Sequence, residues 1–254
     1  MVNSAGAFRA VVLAGGRGSR LYPFTASLPK PLLPVGDRPV IELIVRRLAL
    51  SGASRITVAV NYLADLVESF LGDGSRFGVP IDYVREAAPL GTAGPIGLVE
   101  PWAGPLVVTN GDVLSDFDIQ KLLHCHRERG ASLTVTTMVQ SLRIEAGVLT
   151  TDASLRVTGM VEKPSVQHRI SLGAYVLAGH VGSLIVPNER LEMPELILKL
   201  IGRGDAVVAY DHTGFWLDIG HPDDFAKAQA DASMWSQMLD PTTDRAVPSV
   251  ATSA

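Results

Sequence analysis

The stretch Val11-Val12-Leu13-Ala14-Gly15-Gly16-Arg17-Gly18-Ser19-Arg20-Leu21, with Pro29-Lys30-Pro31-Leu32 a little beyond it, decides how this chain is read. An apolar strand runs into a glycine-rich turn that carries two arginines, and a lysine follows. Glycines let backbone N–H groups converge on an anion without interference from Cβ, and Arg17, Arg20 and Lys30 add positive charge. The combination suits a polyphosphate held in place while one phosphorus is attacked. Two other phosphate motifs fail. A dinucleotide fingerprint needs G-x-G-x-x-G, but the third place holds Leu21, and the next strand ends in Asn61 rather than an acidic residue. A P-loop needs Gly-Lys-Ser/Thr, and Lys30 follows Pro29 instead.

Working outward, 254 residues suffice for one large α/β domain or two small ones, and a hydrophobic fraction of 47% supplies a core. A net charge of −4 argues against a non-specific nucleic-acid binder. A single cysteine, Cys125, excludes an internal disulfide framework and fits a reducing cytoplasm. No secretion signal is read in Met1 to Gly6, and no apolar run reaches membrane-spanning length, so no membrane partner is expected. The tail 236–254, rich in Pro, Thr, Ser and Ala, is expected to be disordered.

Short apolar runs alternate with helical patterns and predict a Rossmann-like, mostly parallel sheet sandwiched by helices. Strands are expected at Phe8–Ala14, Arg55–Val60, Ile81–Val84, Pro105–Thr109 and Leu133–Val139, and helices at Val40–Leu50, Leu63–Leu71 and Asp118–Arg129. The second half changes character. Val148–Thr150, Val157–Glu162 and Leu172–Leu177 are separated by turns, which predicts a small antiparallel substrate-binding part. A helix from Met193, strands at Val207–Tyr210 and Phe215–Ile219, and one closing helix from Pro222 to Trp235 complete a single domain, 1–235. Its nucleotide-binding half is expected at about 1–110 and its sugar-phosphate half at about 111–235.

Asn110-Gly111-Asp112 follows a buried strand, where open α/β sheets place ligands, and Asp218 stands in Trp216-Leu217-Asp218-Ile219-Gly220. Two carboxylates at separate strand ends can jointly hold Mg²⁺, which keeps coordination positions for phosphates and water. Taken alone, each is as well read as a turn residue or a helix cap. Leu90-Gly91-Thr92-Ala93-Gly94 is a small-residue turn against which a flat base can lie. Val161-Glu162-Lys163-Pro164 ends a strand, and a lone Glu-Lys pair reads as a surface salt bridge. His124-Cys125-His126 is structural, because adjacent helical residues diverge, and Arg46-Arg47 are expected on a solvated helix face.

The run from Leu13 to Val35 resembles the signature of the sugar-1-phosphate nucleotidylyltransferases, Gly-Gly-x-Gly-Thr-Arg-Leu-x-Pro-x-Thr followed by Pro-Lys-Pro-Leu, with Ser19 in place of Thr. Asn110-Gly111-Asp112 and Trp216-Leu217-Asp218-Ile219-Gly220 match the family's two metal-binding segments in order. The resemblance implies a nucleotide-diphospho-sugar transferase fold. It also implies transfer of NMP from an NTP to a sugar 1-phosphate, with Mg²⁺ shared by Asp112 and Asp218. It carries nucleotide contacts to Leu13, Ala14, Gly15, Gly16, Gly18, Ser19, Gly91, Thr92 and Asp112. Sugar-phosphate contacts fall on Asn110, Gly147, Glu162, Lys163, Ser171, Gly173 and Tyr175. The Thr-Ala-Gly form after Gly91 looks more like guanylyltransferases, which favours GTP. Ser171 stands where the family commonly has Asn, so hexose, heptose and cyclitol phosphates stay open.

The incoming phosphate is already anionic, so the barrier lies in bringing two polyanions together and stabilising the leaving pyrophosphate. Catalytic roles therefore fall to Arg20, Lys30 and Lys163. The partners expected are a nucleoside triphosphate and a sugar 1-phosphate, and a homo-oligomer is open. A catalytically silent nucleotide-sugar-binding regulatory subunit is the alternative, and it would be expected to have lost one of these charged residues. An oxidoreductase on a Rossmann domain lacks the glycine and acidic residue it needs.

Overall fold

The computed structural model describes residues 7–238. β1 (Phe8–Leu13) is followed by three single-turn helices, the short strands β2 (Pro34–Val35) and β3 (Arg38–Pro39), then α1 (Val40–Leu50), β4 (Ala53–Val60) and α2 (Ala64–Leu71). β5 (Ile81–Arg85), β6 (Leu106–Asn110), β7 (Val113–Ser115) and α3 (Ile119–Glu128) come next. They lead to β8 (Leu133–Arg143), β9 (Val148–Thr151), β10 (Val157–Val161) and β11 (Ser165–Leu177). The described part closes with α4 (Met193–Gly202), β12 (Val207–Asp211), β13 (Trp216–Asp218), α5 (Pro222–Ala230) and α6 (Ala232–Met238).

Seven strands form one sheet in the order β12-β8-β11-β6-β1-β4-β5. β4 and β6 flank β1 in parallel, β5 joins β4 and β12 joins β8 in parallel, and β11 alone runs antiparallel to its neighbours β6 and β8. The mostly parallel sheet is thus as its apolar runs predicted. Side chains alternate across a strand. Phe8, Ala10 and Val12 of β1 enter a core with α1, α2 and α3, whereas Val11 enters a second core with Leu196 and Leu200 of α4. Helices therefore cover both faces, and the strand ends at Leu13 and Asn110 stay open for a ligand.

Local signals set the helix ends. Asp118 caps α3 by accepting from the N–H groups of Gln120 and Lys121. Glu192 and Glu195 form a capping box at α4, with Pro194 in its first turn.

Four expectations need correction. β8 and β11 run well past the strands foreseen there and pair from Arg143 and Ser165 inward as a projecting arm, whose exposed residues broke up the apolar runs that mark a strand. The closing helix is two helices parted at Asp231, a residue disfavoured in helix interiors, and the second reaches Met238; the rest of the expected tail lies outside the described residues. Arg47 is not solvated but reaches the carbonyl of Phe117, because the turn before α3 packs over α1 at that point. Asp218 ends no strand of the main sheet. β13 pairs antiparallel with β7 in a separate ribbon, Asp218 opposite Val113 and Trp216 opposite Ser115. Asp118→Ala should lower the unfolding free energy by about 1 kcal/mol in urea titration; an unchanged midpoint would show that the cap adds nothing.

Candidate active site

The β7–β13 ribbon is what brings the acidic residues together. The N–H of Ile219 donates to the carbonyl of Asp112 at 3.0 Å, so Asp112 and Asp218 leave the same end of the ribbon. Lys30 lies between them. Its buried ammonium pairs with Asp112 Oδ2 and stands 3.6 Å from Asp218 Oδ1. Arg20 completes the group, its Nη2 and Asp218 Oδ1 both flanking Gly220, within 3.2 and 3.1 Å of where a side chain there would begin.

Lys30 owes its position to the glycine loop. Gly18 takes φ +62°, a left-handed conformation that favours glycine, and a Cβ there would meet the Lys30 side chain at 2.9 Å and Thr25 at 3.0 Å. Thr25 donates to the Gly18 carbonyl at 2.9 Å, and the Tyr62 hydroxyl donates to the carbonyls of Thr25 and Ala26. Phe24 packs on Phe225 with ring centres 5.9 Å apart. The loop is thereby fastened from two sides. Yet from Gly15 to Gly18 no backbone N–H finds an acceptor among the described residues, although Ala14 just before still donates to Ala59. Consecutive unpartnered amides beside three cations make an anion cradle.

The carboxylate pair is electrostatically uneasy. Burial and the neighbouring Asp112 push the Asp218 carboxyl above its ordinary range, against the opposing pull of Lys30 and Arg20. Asp218 Oδ1 is buried with no hydrogen-bond partner. Among the described residues no cluster of three or more His, Cys, Asp or Glu side chains could hold a metal. Two carboxylates with an orphaned oxygen fit Mg²⁺, an ion that takes few protein ligands and fills its remaining places with phosphate oxygens and water.

A second neighbourhood adjoins the first. Gly173, at φ +72°, lies against Asn110, whose Nδ2 is 2.6 Å from where a Cβ would stand. The Ser171 and Tyr175 hydroxyls are 3.1 Å apart across an irregularity in the β11–β8 register. These four residues of the expected sugar pocket thus form two contacting pairs on neighbouring strands, with Tyr175 itself buried in the second core. The other three flank the open end of the exposed β9–β10 hairpin, Gly147 just before it and Glu162 and Lys163 just after it. Glu162 Oε2 lies by Gly147, and Lys163 stands 3.7 Å from Glu145. Lys163 takes φ +45°, rare for a residue with a side chain.

A third neighbourhood holds the turn after β5. Gly91 and Thr92 are clamped to the start of α4: Thr92 donates through N–H and hydroxyl to Glu192 Oε2, at 3.0 and 2.9 Å, and accepts from the N–H of Met193 at 2.7 Å. The Thr92 hydroxyl thus has its proton and one lone pair engaged inside the chain. Glu86 was missed in the sequence. Its Oε2 accepts from the N–H of Leu90 at 2.8 Å, and Oε1, against Gly15, has no partner among the described residues. Burial raises its carboxyl, opposed by the Leu90 bond. Its place at the carboxyl end of a parallel strand, just before the small-residue turn, was the available signal. Leu13 accepts from Gly111 at 2.8 Å, and Ser19 is exposed.

The sequence model of the nucleotidyl transferase family matches residues 9–234, and the chain belongs to that family. It is 36% identical over 231 residues to a mannose-1-phosphate guanylyltransferase of Mycobacterium tuberculosis, covering 87% of this chain and 64% of that protein. It is 32% identical over 240 residues to a UTP–glucose-1-phosphate uridylyltransferase of Synechocystis sp., covering 87% of this chain and 62% of the relative. The chain thus spans a little under two thirds of the length of these relatives. A crystal structure described as a glucose-1-phosphate thymidylyltransferase from Bacillus anthracis, with sucrose, matches at a TM-score of 0.72 and 27% identity, over 89% of this chain and 95% of that one. No helix of the described residues is long and apolar enough to cross a membrane.

A raised Asp218 pKa has a testable sign. Burial beside Asp112 makes the folded charge of this side chain unfavourable relative to the unfolded chain. Protonation removes that penalty as pH falls through the raised folded value. Without divalent ions, Asp218→Asn should therefore melt above wild type at pH 7, the gap closing towards pH 4. A gap that widened on acidification would contradict the assignment.

Proposed function

We propose that this protein is a Mg²⁺-dependent sugar-1-phosphate nucleotidylyltransferase of the cytoplasm, which joins a nucleoside triphosphate to a sugar 1-phosphate and releases pyrophosphate. One observation carries the reading: unpartnered loop amides, Arg20, Lys30 and two carboxylates meet at one point. The relatives named above are guanylyl-, uridylyl- and thymidylyltransferases for hexose 1-phosphates, which supports the same chemistry here. A silent regulatory relative is disfavoured, since every charged group is present and those of the triphosphate site converge.

A phosphate oxygen of the sugar phosphate attacks the α-phosphorus, and the bond to the β-phosphate breaks. That oxygen is already ionised at neutral pH, so no general base is required. Amides of Gly15, Gly16 and Gly18 hold phosphate oxygens, while Arg20 and Lys30 neutralise charge that grows on the departing pyrophosphate. Asp112 and Asp218 would hold Mg²⁺, whose charge would offset the repulsion between the two phosphates and make the α-phosphorus more electrophilic. Lys163 steers the incoming phosphate, and Glu162, Gly147, Asn110, Ser171, Gly173 and Tyr175 receive the sugar. With Ser171 in that pocket, the acceptor is a hexose, heptose or cyclitol 1-phosphate.

GTP is the preferred donor on this reading. Guanine presents adjacent N–H donors on its pairing edge, and an acceptor-only carboxylate with one free oxygen, Glu86, matches them where uracil and thymine offer a mixed edge. Pyrophosphate release from four triphosphates against a panel of sugar and cyclitol phosphates tests the whole assignment. Arg20→Ala and Lys30→Ala should each lower kcat/KM by about 10²–10³-fold, and a variant within threefold of wild type would refute its role. Glu86→Gln should cost GTP about 10–100-fold and UTP far less; equal losses for both would remove Glu86 from base recognition.

A further inference from the structure

The ribbon that carries Asp112 and Asp218 is short. It has three residue pairs, and an isolated two-stranded ribbon is at best marginally stable. Behind it lies a cavity lined by Leu43, Ile44, Val113, Leu114, Phe117 and Trp235, so apolar packing leaves room for the ribbon to shift. Leu114 and Ile219 anchor it in the core, and polar contacts supply the remaining restraint.

They converge at the end remote from the carboxylates. There Asp116 follows β7 and Phe215 precedes β13, and the N–H of Asp116 donates to the Phe215 carbonyl at 3.1 Å. His212 closes this end. Its Nε2 lies 3.1 Å from the Phe215 carbonyl, in hydrogen-bond geometry, and 2.9 Å from Asp116 Oδ1, a close polar contact in which that buried oxygen has no hydrogen-bond partner of its own among the described residues. The ring is 8% exposed and meets Phe117 edge-on at 5.6 Å. Gly214 lies against the Asp116 carboxylate, which leaves that turn no room for a side chain. Burial would raise the Asp116 carboxyl, but His212, the Phe215 backbone and Arg47 together hold it below its ordinary range.

His212 is itself fixed to the main sheet. Its N–H donates to the Thr137 carbonyl at 2.7 Å. Asp211 beside it accepts from Arg169 Nε and Nη2, at 2.8 and 2.7 Å, and from the Thr137 hydroxyl at 2.7 Å. Nearer the site, the Trp216 indole donates to the Leu172 carbonyl at 2.9 Å.

We propose that His212, acting through Asp116 and the Phe215 carbonyl, is a positioning residue that fixes the ribbon and so sets Asp218 against Asp112 for a divalent ion. It touches neither substrate nor reacting atoms. The inference rests on the metal-binding reading of that carboxylate pair. Its effect resembles that of outer-shell partners, whose loss costs 10–100-fold in metal affinity.

Mn²⁺ binding to the full chain, followed by electron paramagnetic resonance, reads this directly, beside the Mg²⁺ concentration that gives half-maximal pyrophosphate release. His212→Ala should weaken Mn²⁺ binding about tenfold and raise the Mg²⁺ requirement in step, with little change in KM for the triphosphate at saturating metal. His212→Gln, which can return an N–H donor to the same place, should recover to within threefold. Asp116→Asn, which keeps an acceptor without the charge, should fall between the two and stands in if His212→Ala does not fold. Unchanged Mn²⁺ affinity in His212→Ala, or in Asp116→Asn where the former is insoluble, would overturn the proposal. So would a fall in kcat with no shift in metal requirement, or no recovery in His212→Gln. Asp218→Asn separates the layers: if it too binds Mn²⁺ like wild type, the metal reading of the pair has failed and not merely the role of His212.

Discussion

Two carboxylates held close together in a half-buried site repel each other, and the structure is arranged around what keeps them there. Lys30 is the counter-charge the chain supplies for itself. Its ammonium pairs with Asp112 and stands 3.6 Å from Asp218, so it offsets part of the repulsion between the two. The compensation is incomplete, since Asp218 remains above its ordinary range and keeps an orphaned buried oxygen. A site left short of positive charge is suited to a divalent ion arriving with a polyanionic substrate.

That requirement explains the long fastened loop between β1 and α1. A lysine can bridge the ribbon end only if its backbone is brought close to it, and the close packing of Gly18 on Lys30 makes the glycine turn and the lysine one unit. The same turn offers its free amides on the side open to solvent. On the proposed reading, phosphate recognition and carboxylate compensation are therefore two faces of a single loop, and a change to either should disturb both.

The sheet was legible because its strands are near-continuous apolar runs, Val11 to Leu13 and Leu106 to Val108 among them, and parallel strands buried on both faces read that way. The loop was legible from glycine spacing. The meeting of Asp112 with Asp218 was reached through a motif resemblance, since nothing local to either residue announces that β7 and β13 pair. Their ribbon joins segments far apart in the chain, a non-local contact that periodicity does not encode. Glu86 escaped notice for a different reason. Beside Arg85 it reads as an ordinary charged strand end, and only the approach of Gly15 and Leu90 gives it an inward-facing role. Arg47 misled in the opposite direction, since a charged pair on a helix suggests solvent until a neighbouring turn is seen to cover it.

The placement of histidines bears on the chemistry. His126 is buried with its Nδ1 2.9 Å from the Thr134 hydroxyl, and His212 is committed to Asp116 and Phe215. Neither joins the cluster of Arg20, Lys30, Asp112 and Asp218, and no triad faces the glycine loop among the described residues. For an alcohol or water nucleophile that would be a serious deficiency, because a base must take the proton as the bond forms. For a phosphate monoester it is none, since the attacking oxygen carries no proton at neutral pH. In the proposed reaction what must be overcome is repulsion between anions, and cations, free amides and a carboxylate pair able to hold a divalent ion would answer that need where a proton acceptor would not.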